Sequence, residues 1–330
     1  MIRSCLSKME SNRGLFYKYE LLKEIWCEQL GKSTQRFLSE DYFKNFCLHH
    51  GSFCFYIVKI NDGSSQLMLD EEQYQAVKER LQHKTRSELR EIPSQIFMDG
   101  KGNVLKERKS FSSQEELEKE LKNLKENERT VFRRARQRAS ERTANLCQMI
   151  SKNPNMKFIS YDVEIYDQDQ KTILEIGYVK FTLKENNNPE HHHAIVNEDL
   201  HNREGFDNKK KFKFGATKHV PLEEAAAFLQ RGIAGSDALV THSGCQGDKY
   251  LADNHINVAK KTMFDTQTLA LALLRSKNPN VVCWSLKEIL EETGNGYDES
   301  IIHNAGNDAH YTMVAFKALA KIAMQGLASA

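Results

Sequence analysis

Cysteine is sparse and scattered: Cys5, Cys27, Cys47, Cys54, Cys147, Cys245 and Cys283 lie far apart, without a CxxC pair. In a chain of 330 residues that excludes a disulfide framework and reads as reduced intracellular thiols. No apolar run approaches the roughly 20 residues needed to span a bilayer. The opening MIRSCLSKMESNRG has no apolar stretch after its positive charges, so no secretory signal is expected. Arg3, Lys8 and Arg13 suit a mitochondrial transit peptide, whereas Glu10 and the few serines do not; cytoplasm or nucleus is the expected compartment, with the mitochondrion left open. Charge of one sign is also lacking. A net +2 with 28% charged residues points to no partner by itself, so any affinity for nucleic acid must come from local clusters. No repeat or low-complexity tract is visible.

What is present, 40% hydrophobic residues and 9% aromatic, suffices for a sizeable core in a chain longer than one usual domain. Three segments are expected: a small α+β module over 1–110, a long charged linker helix over 111–152 and a second domain over 153–330. Residues 14–32 place Phe16, Leu21, Leu22, Ile25, Trp26 and Leu30 near helical spacing and stop at Gly31. A short helix is expected over 39–48. The β-rich run 53–60, the turn Asn61-Asp62-Gly63 and QLMLD predict a hairpin, followed by a helix over about 70–82. IFMDGKGNVL carries the glycine turn of a second small hairpin. No spacing in this module carries chemistry.

From Ser112, SSQEELEKEL holds a capping-box signal, and a charged helix then runs toward about 150. Its second half holds Arg129, Arg133, Arg134, Arg136, Arg138 and Arg142. These would contact phosphates if their face is exposed, or pair with Glu126, Glu128 and Glu141 if the helix is an ordinary solvated linker. Asn153-Pro154 closes the helix.

The remainder opens with strands KFISYDVEI and TILEIGYVKF and a third near HHHAIV. It then alternates: helix 222–232, strand ALVTH, helix 247–254, strand VAKKTMFD, and helices near 265–275, 285–293 and 305–324. That order predicts an α/β fold, a mixed sheet with a hairpin at its start and helices on its flanks.

In Tyr161-Asp162-Val163-Glu164 the acids are two apart on a strand, so both point to one face while Val163 enters the core. Two anions on one face suit a hard divalent cation, Mg²⁺ or Mn²⁺; an ordinary polar strand face is the alternative. His303-Asn304-Ala305-Gly306-Asn307-Asp308 leads into a helix. Asp308 falls in its first turn, where the dipole favours a carboxylate, and His303 sits on the preceding loop with a pKa suited to a general base. Asn304 and Asn307 would serve the turn equally well as caps. Between these segments, LVTHSGCQGDKYL is a strand, a glycine-containing turn and an acid, Asp248, at a helix start. Two metals held by four carboxylates would stabilise the attacking and leaving oxygens of a phosphodiester displacement.

The ordered set D-x-E, Leu174-Glu175-Ile176-Gly177, Val240-Thr241-His242 with Asp248, Asp265-Thr266, and His303 five residues before Asp308 resembles the DEDDh exonucleases of the ribonuclease H-like fold. The resemblance spans about 157–325. HNAGNDAHYT and NREGFDNKKKFKFGATKHV look most like the GFD-type eukaryotic branch, with Phe206 to Phe214 as its special loop. The resemblance implies a 3′→5′ exonuclease on single-stranded nucleic acid, with RNA expected ahead of DNA. By it, Asp162, Glu164, Asp248 and Asp308 are the ligands of two metal ions and His303 is the base. One departure stands out: Gly247 holds the family's middle-aspartate position, Asp248 comes one residue later, and Ser243 replaces the usual asparagine. A bulged turn at Ser243-Gly244 would absorb the extra residue; otherwise the chain is a degenerate exonuclease fold acting as a binding scaffold. Elsewhere, His191-His192-His193 reads as a solvated strand end, Cys245 as a small buried thiol, and Trp284 and Phe264 as core.

Overall fold

The structure, a computed structural model, describes residues 15–31, 55–60, 64–93, 95–96, 106–169, 171–184, 188–203, 207–243, 251–252, 254, 256, 261–274 and 283–328. The helix expected over 39–48, the turn at 61–63, Cys245, Phe206, Asp248 and most of 247–254 lie outside them. The chain divides into two compact units, Met1–Arg133 and Arg134–Ala330.

The first unit holds a 5-stranded sheet in the order β4-β1-β3-β2-β5, from β1 (Leu15–Lys18), β2 (Phe55–Lys59), β3 (Ser65–Asp70), β4 (Gln95–Ile96) and β5 (Lys106–Lys109). The β2–β3 hairpin forms as expected, Val58 facing Gln66. One expectation fails. Helix α1 covers only Tyr19–Gly31, because Leu15–Lys18 pairs with β3 on one side and β4 on the other. Aromatic, half-buried residues gain more in such a ladder than in a helical turn. The second small hairpin, expected within 96–105, lies outside the described residues except for Ile96; on either side of it β4 pairs with β1 and β5 with β2. Helix α2 (Glu71–Thr85) starts in a capping box of Asp70 and Gln73. Its buried face joins Tyr17, Trp26, Phe55 and Leu69 in one core.

Helix α3 (Gln114–Lys152) begins as its sequence predicts: the Glu116 carboxylate accepts from the Ser112 N–H and hydroxyl, and Ser113 Oγ accepts from the Glu116 N–H. Its first part contributes Leu117, Leu121 and Leu124 to the first core, its last part Leu146, Met149 and Ile150 to the second.

The second unit contains β6 (Phe158–Ile165), β7 (Ile173–Phe181), β8 (Glu190–Ile195), β9 (Thr217–His219), α4 (Leu222–Ala234), β10 (Ala238–Thr241), β11 (Thr262–Asp265), α5 (Thr266–Leu273), α6 (Leu286–Glu292) and α7 (Ala305–Ala328). Its 6-stranded sheet runs β11-β10-β6-β7-β8-β9. β6, β7 and β8 pair antiparallel, while β10 and β11 continue parallel to β6. This is the mixed sheet with a leading hairpin of the ribonuclease H-like fold. One face packs on α7, where Phe158, Val179, Phe316 and the expected core residues Phe264 and Trp284 meet. The other packs on α4, with Tyr161, Ile176 and Leu229. Gly177 lets α7 seat: a Cβ there would lie 2.1 Å from the Ala305 carbonyl carbon and 2.3 Å from Gly306 N.

Candidate active site

Asp162 and Glu164 stand on β6 opposite Gly177 and Glu175 of β7, so all four positions share the face that meets the start of α7. Ser160, two residues earlier, donates to the Ala309 carbonyl at 2.8 Å, and Val163 packs in the opposite layer. The strand alternation expected from the sequence is what is found.

Helix α7 brings the third element. Its cap is Asn304, whose Oδ1 accepts the Asn307 N–H at 3.0 Å. Asp308 lies in the first turn and accepts the His303 N–H at 2.9 Å. His303 adopts a left-handed backbone with φ of 57°, uncommon for a residue with a side chain. That fold-back places Glu164, His303 and Asp308 together, with one ligand atom from each within 4.8 Å of the others.

The electrostatics are those of crowded anions. Burial, and then the charge of Glu175, raises Asp162 to about 6 despite a hydrogen bond from the Val163 backbone. Burial followed by repulsion from Asp162 and Asp308 pushes Glu164 well above the usual carboxylate range. Asp308 is raised in the same way, by burial and by Asp162, against the hydrogen bonds from His303 and Asn304. Among the described residues no lysine or arginine pairs with Asp162, Glu164 or Asp308. A hard divalent cation is the partner such oxygens fit, since it relieves both desolvation and mutual repulsion. Burial lowers the His303 pKa, which keeps its imidazole neutral and able to accept a proton.

Behind these residues lies a buried layer. The Glu175 carboxylate accepts from Asn304 Nδ2 at 3.0 Å, pairs with His193 Nε2 at 2.7 Å and takes a bond from the Ala305 backbone. His193 Nδ1 is held by Thr217 Oγ1 at 2.9 Å. The histidine run is thus no solvated strand end. His193 is 2% exposed, and His191 meets His310 at 2.8 Å, because β9 and α7 cover that strand; His192 alone reaches Glu190 on the other face. Glu175 was visible within the family motif Leu174 to Gly177. Asn304 is marked in the sequence only as a cap, and His193 has no spacing to mark it, since their partners here lie in other segments.

The loop 207–214 ties down the same helix start. Asn304 Nδ2 donates to the Asn208 and Lys209 carbonyls at 3.1 Å each, and Asn307 exchanges bonds with the Lys211 carbonyl and the Lys213 N–H at 3.0 Å. Phe212 lies against Gly306, where a Cβ would come within 2.6 Å of its ring.

The middle segment is described only to Ser243. β10 runs parallel beside β6, and Ser243 at its end is left-handed, φ 58°, with its N–H on Asp265 Oδ1 at 3.2 Å. His242 Nδ1 meets Thr266 Oγ1 at 2.8 Å. Leu251 is buried among Ile159, Leu239 and Leu229.

Comparison with known proteins places this geometry. Residues 157–319 match the family model for the DNA polymerase III subunit epsilon-like C-terminal domain of the DEDDh group. An uncharacterised nucleolar protein of Schizosaccharomyces pombe, C2C4.08, is 30% identical over 175 residues, 50% of this chain and 69% of its own length. A structure of exonuclease I aligns over 53% of this chain and 43% of its own at 10% identity, with a TM-score of 0.38. A zinc-bound complex of the Escherichia coli enzyme with single-stranded DNA covers the same shares at 13% identity and a TM-score of 0.36. The chain spans less than half the length of these exonuclease I chains. Through residues 157–319, the chain belongs to the DEDDh exonuclease family.

Proposed function

We propose that this chain is a metal-dependent 3′→5′ exonuclease acting on single-stranded nucleic acid, RNA in preference to DNA. Asp162, Glu164, Asp248 and Asp308 hold two Mg²⁺ or Mn²⁺ ions, and His303 is the general base. The observation that carries the reading is the convergence of Glu164, His303 and Asp308 within 4.8 Å, beside Asp162, on an exonuclease-family sheet. The bound ions would supply positive charge to the oxygens of the phosphodiester undergoing displacement. Neutral His303 takes the proton of the attacking water, and its left-handed backbone and bond to Asp308 hold the ring at the site. Glu175, His193 and Asn304 orient the helix start that bears both residues. The left-handed Ser243 and buried Leu251 support a bulged turn that brings Asp248 to the same edge.

Incubation with 5′-labelled RNA and DNA oligonucleotides and Mg²⁺ or Mn²⁺ tests this. A ladder of shortened products is expected, stronger on RNA, blocked by a 3′-terminal cap and lost in Asp162→Ala. Absence of a ladder, or its persistence in that variant, sinks the proposal, and cleavage of 3′-blocked substrates would point to an endonuclease.

A second reading, a degenerate nucleic-acid or protein-binding module, is favoured by one observation: Asp248 is the sixth residue after His242, where the family places its acid fifth. If it holds, metal titration by calorimetry will not distinguish wild type from Asp248→Asn. The clasp of 207–214 on α7 supports placing the chain in the GFD-type branch. The nucleolar relative supports a nuclear compartment, to be checked by imaging the tagged protein against a mitochondrial marker. An α+β module over 1–110, a linker helix over 111–152 and an exonuclease domain over 153–330 are proposed as the domain organisation, which limited proteolysis would test.

A further inference from the structure

The arginines of α3 fall into two rows. At about 100° per residue, Arg129, Arg133 and Arg136 lie near one line, and Arg134, Arg138 and Arg142 lie near another on the opposite side of the apolar stripe. The rows differ in their surroundings. In the first, Arg129 pairs with Glu126 at 3.6 Å and Arg136 is half-buried. In the second, Arg134, Arg138 and Arg142 are all exposed, and among the described residues none forms an ion pair. The nearest acid in sequence, Glu141, takes a hydrogen bond from Gln137 Nε2 at 3.1 Å instead. The one side-chain bond in the row is Arg138 Nε to the Arg134 carbonyl at 3.4 Å, which spends no acceptor charge.

Three cations at successive i,i+4 positions repel one another along the helix, and a solvated helix normally answers such a row with acids at the same spacing. Here only Glu141, three residues after Arg138, stands at such a spacing, and it takes its bond from Gln137. The guanidinium groups recur at a rise of about 6 Å per step, and each presents a planar fork suited to a phosphate. We propose that Arg134, Arg138 and Arg142 form a phosphate-binding row that grips the backbone of single-stranded nucleic acid without regard to sequence and without divalent metal. The row lies on a helix, outside the carboxylate site, so this proposal stands apart from whether the site is active.

The test uses the full chain in EDTA, where no metal-dependent cleavage occurs. Anisotropy of a labelled oligouridylate and a labelled oligothymidylate is followed at stepped salt concentrations. Each single-strand phosphate contact contributes about 0.7 to the slope of log K against log salt. The wild type should therefore show a slope steeper by about 2 than Arg134→Gln/Arg138→Gln/Arg142→Gln, on both oligonucleotides. Glutamine keeps helix propensity, and an unchanged far-UV spectrum and melting midpoint establish that the variant is folded. The charge-matched control Lys184→Gln/Lys287→Gln/Lys321→Gln, off this helix, should keep the wild-type slope. A wild type that binds neither oligonucleotide overturns the proposal, as does an unchanged slope in the arginine variant or an equal loss in the lysine control. Asp162→Ala should leave the slope intact; if it does while cleavage in Mg²⁺ is absent from the wild type, only the exonuclease reading fails.

Discussion

The acids of the first compact unit and those of the candidate site in the second are held in opposite ways. In the first, acids have partners: Glu91 accepts from Tyr74 at 2.8 Å and from Lys78, which hold its carboxyl below the usual range, and Glu71 accepts from Tyr17. The cost appears on the phenols, with Tyr74 pushed up to about 12 by burial and by its bond to Glu91. In the second, Asp162, Glu164 and Asp308 are buried against one another and pushed up together. An acid with a cation or phenol beside it contributes to the fold. Acids gathered without one weaken the fold until a cation arrives, and that imbalance marks the site.

The contrast breaks most visibly at Asp162. Asp162→Asn should lower nuclease activity by about a thousandfold or more, near 4 kcal/mol in the barrier. It should also raise the melting midpoint of the metal-free protein. The folded state keeps the Asp162 proton up to about 6, while the unfolded chain loses it near 3.8. Metal-free stability is therefore full below the lower value and falls as pH rises through that window, with Glu164 and Asp308 extending the fall upward. The asparagine removes an effect on the order of 3 kcal/mol, and added Mg²⁺ should flatten the wild-type curve. Melting curves in EDTA from pH 4 to pH 8 check this (about the range over which these acids titrate); a wild type whose stability rises across that range would refute it.

Gly177→Ala tests whether the site depends on the seat of α7. The added carbon would meet backbone atoms of Ala305 and Gly306, which cannot swing aside as a side-chain tip can. Denaturant titration should show a loss of about 1–3 kcal/mol or more, with activity lost alongside. An unchanged midpoint would mean the helix start is not held by this contact.

The same substitution in the two units sharpens the comparison at its smallest scale. Glu175→Gln removes the charge that receives His193 and Asn304, and should weaken metal affinity or turnover by about 10–100-fold, as for other groups that orient ligands from behind. Glu91→Gln should lower the melting midpoint slightly and leave turnover unchanged. Calorimetric metal titration and initial rates on both variants separate the roles.

Much of the second unit was legible because strand alternation and helix spacing are local. The D-x-E pair shares a face for the reason its spacing gives, and Asp308 falls in the first turn of a helix that Asn304 caps. Errors came where partners are remote. Leu15–Lys18 reads as helical beside α1, yet β3 and β4 claim it. The histidine run looked exposed because nothing near it in sequence announces β9 or Glu175. Of the acids beside the arginines, Glu126 takes Arg129, while Glu141 takes Gln137 instead.

By itself, the sequence determined which residues could carry charge to one sheet edge and in what order, because side-chain period and capping chemistry act within a few residues. Only the tertiary structure decided that Glu164, His303 and Asp308 converge, that Glu175 and His193 stand behind them, and that Gly177 and Gly306 admit the close approach. Glu164 and Gly177 meet the start of α7 from segments more than a hundred residues away, where desolvation and packing, rather than local propensity, set the energy.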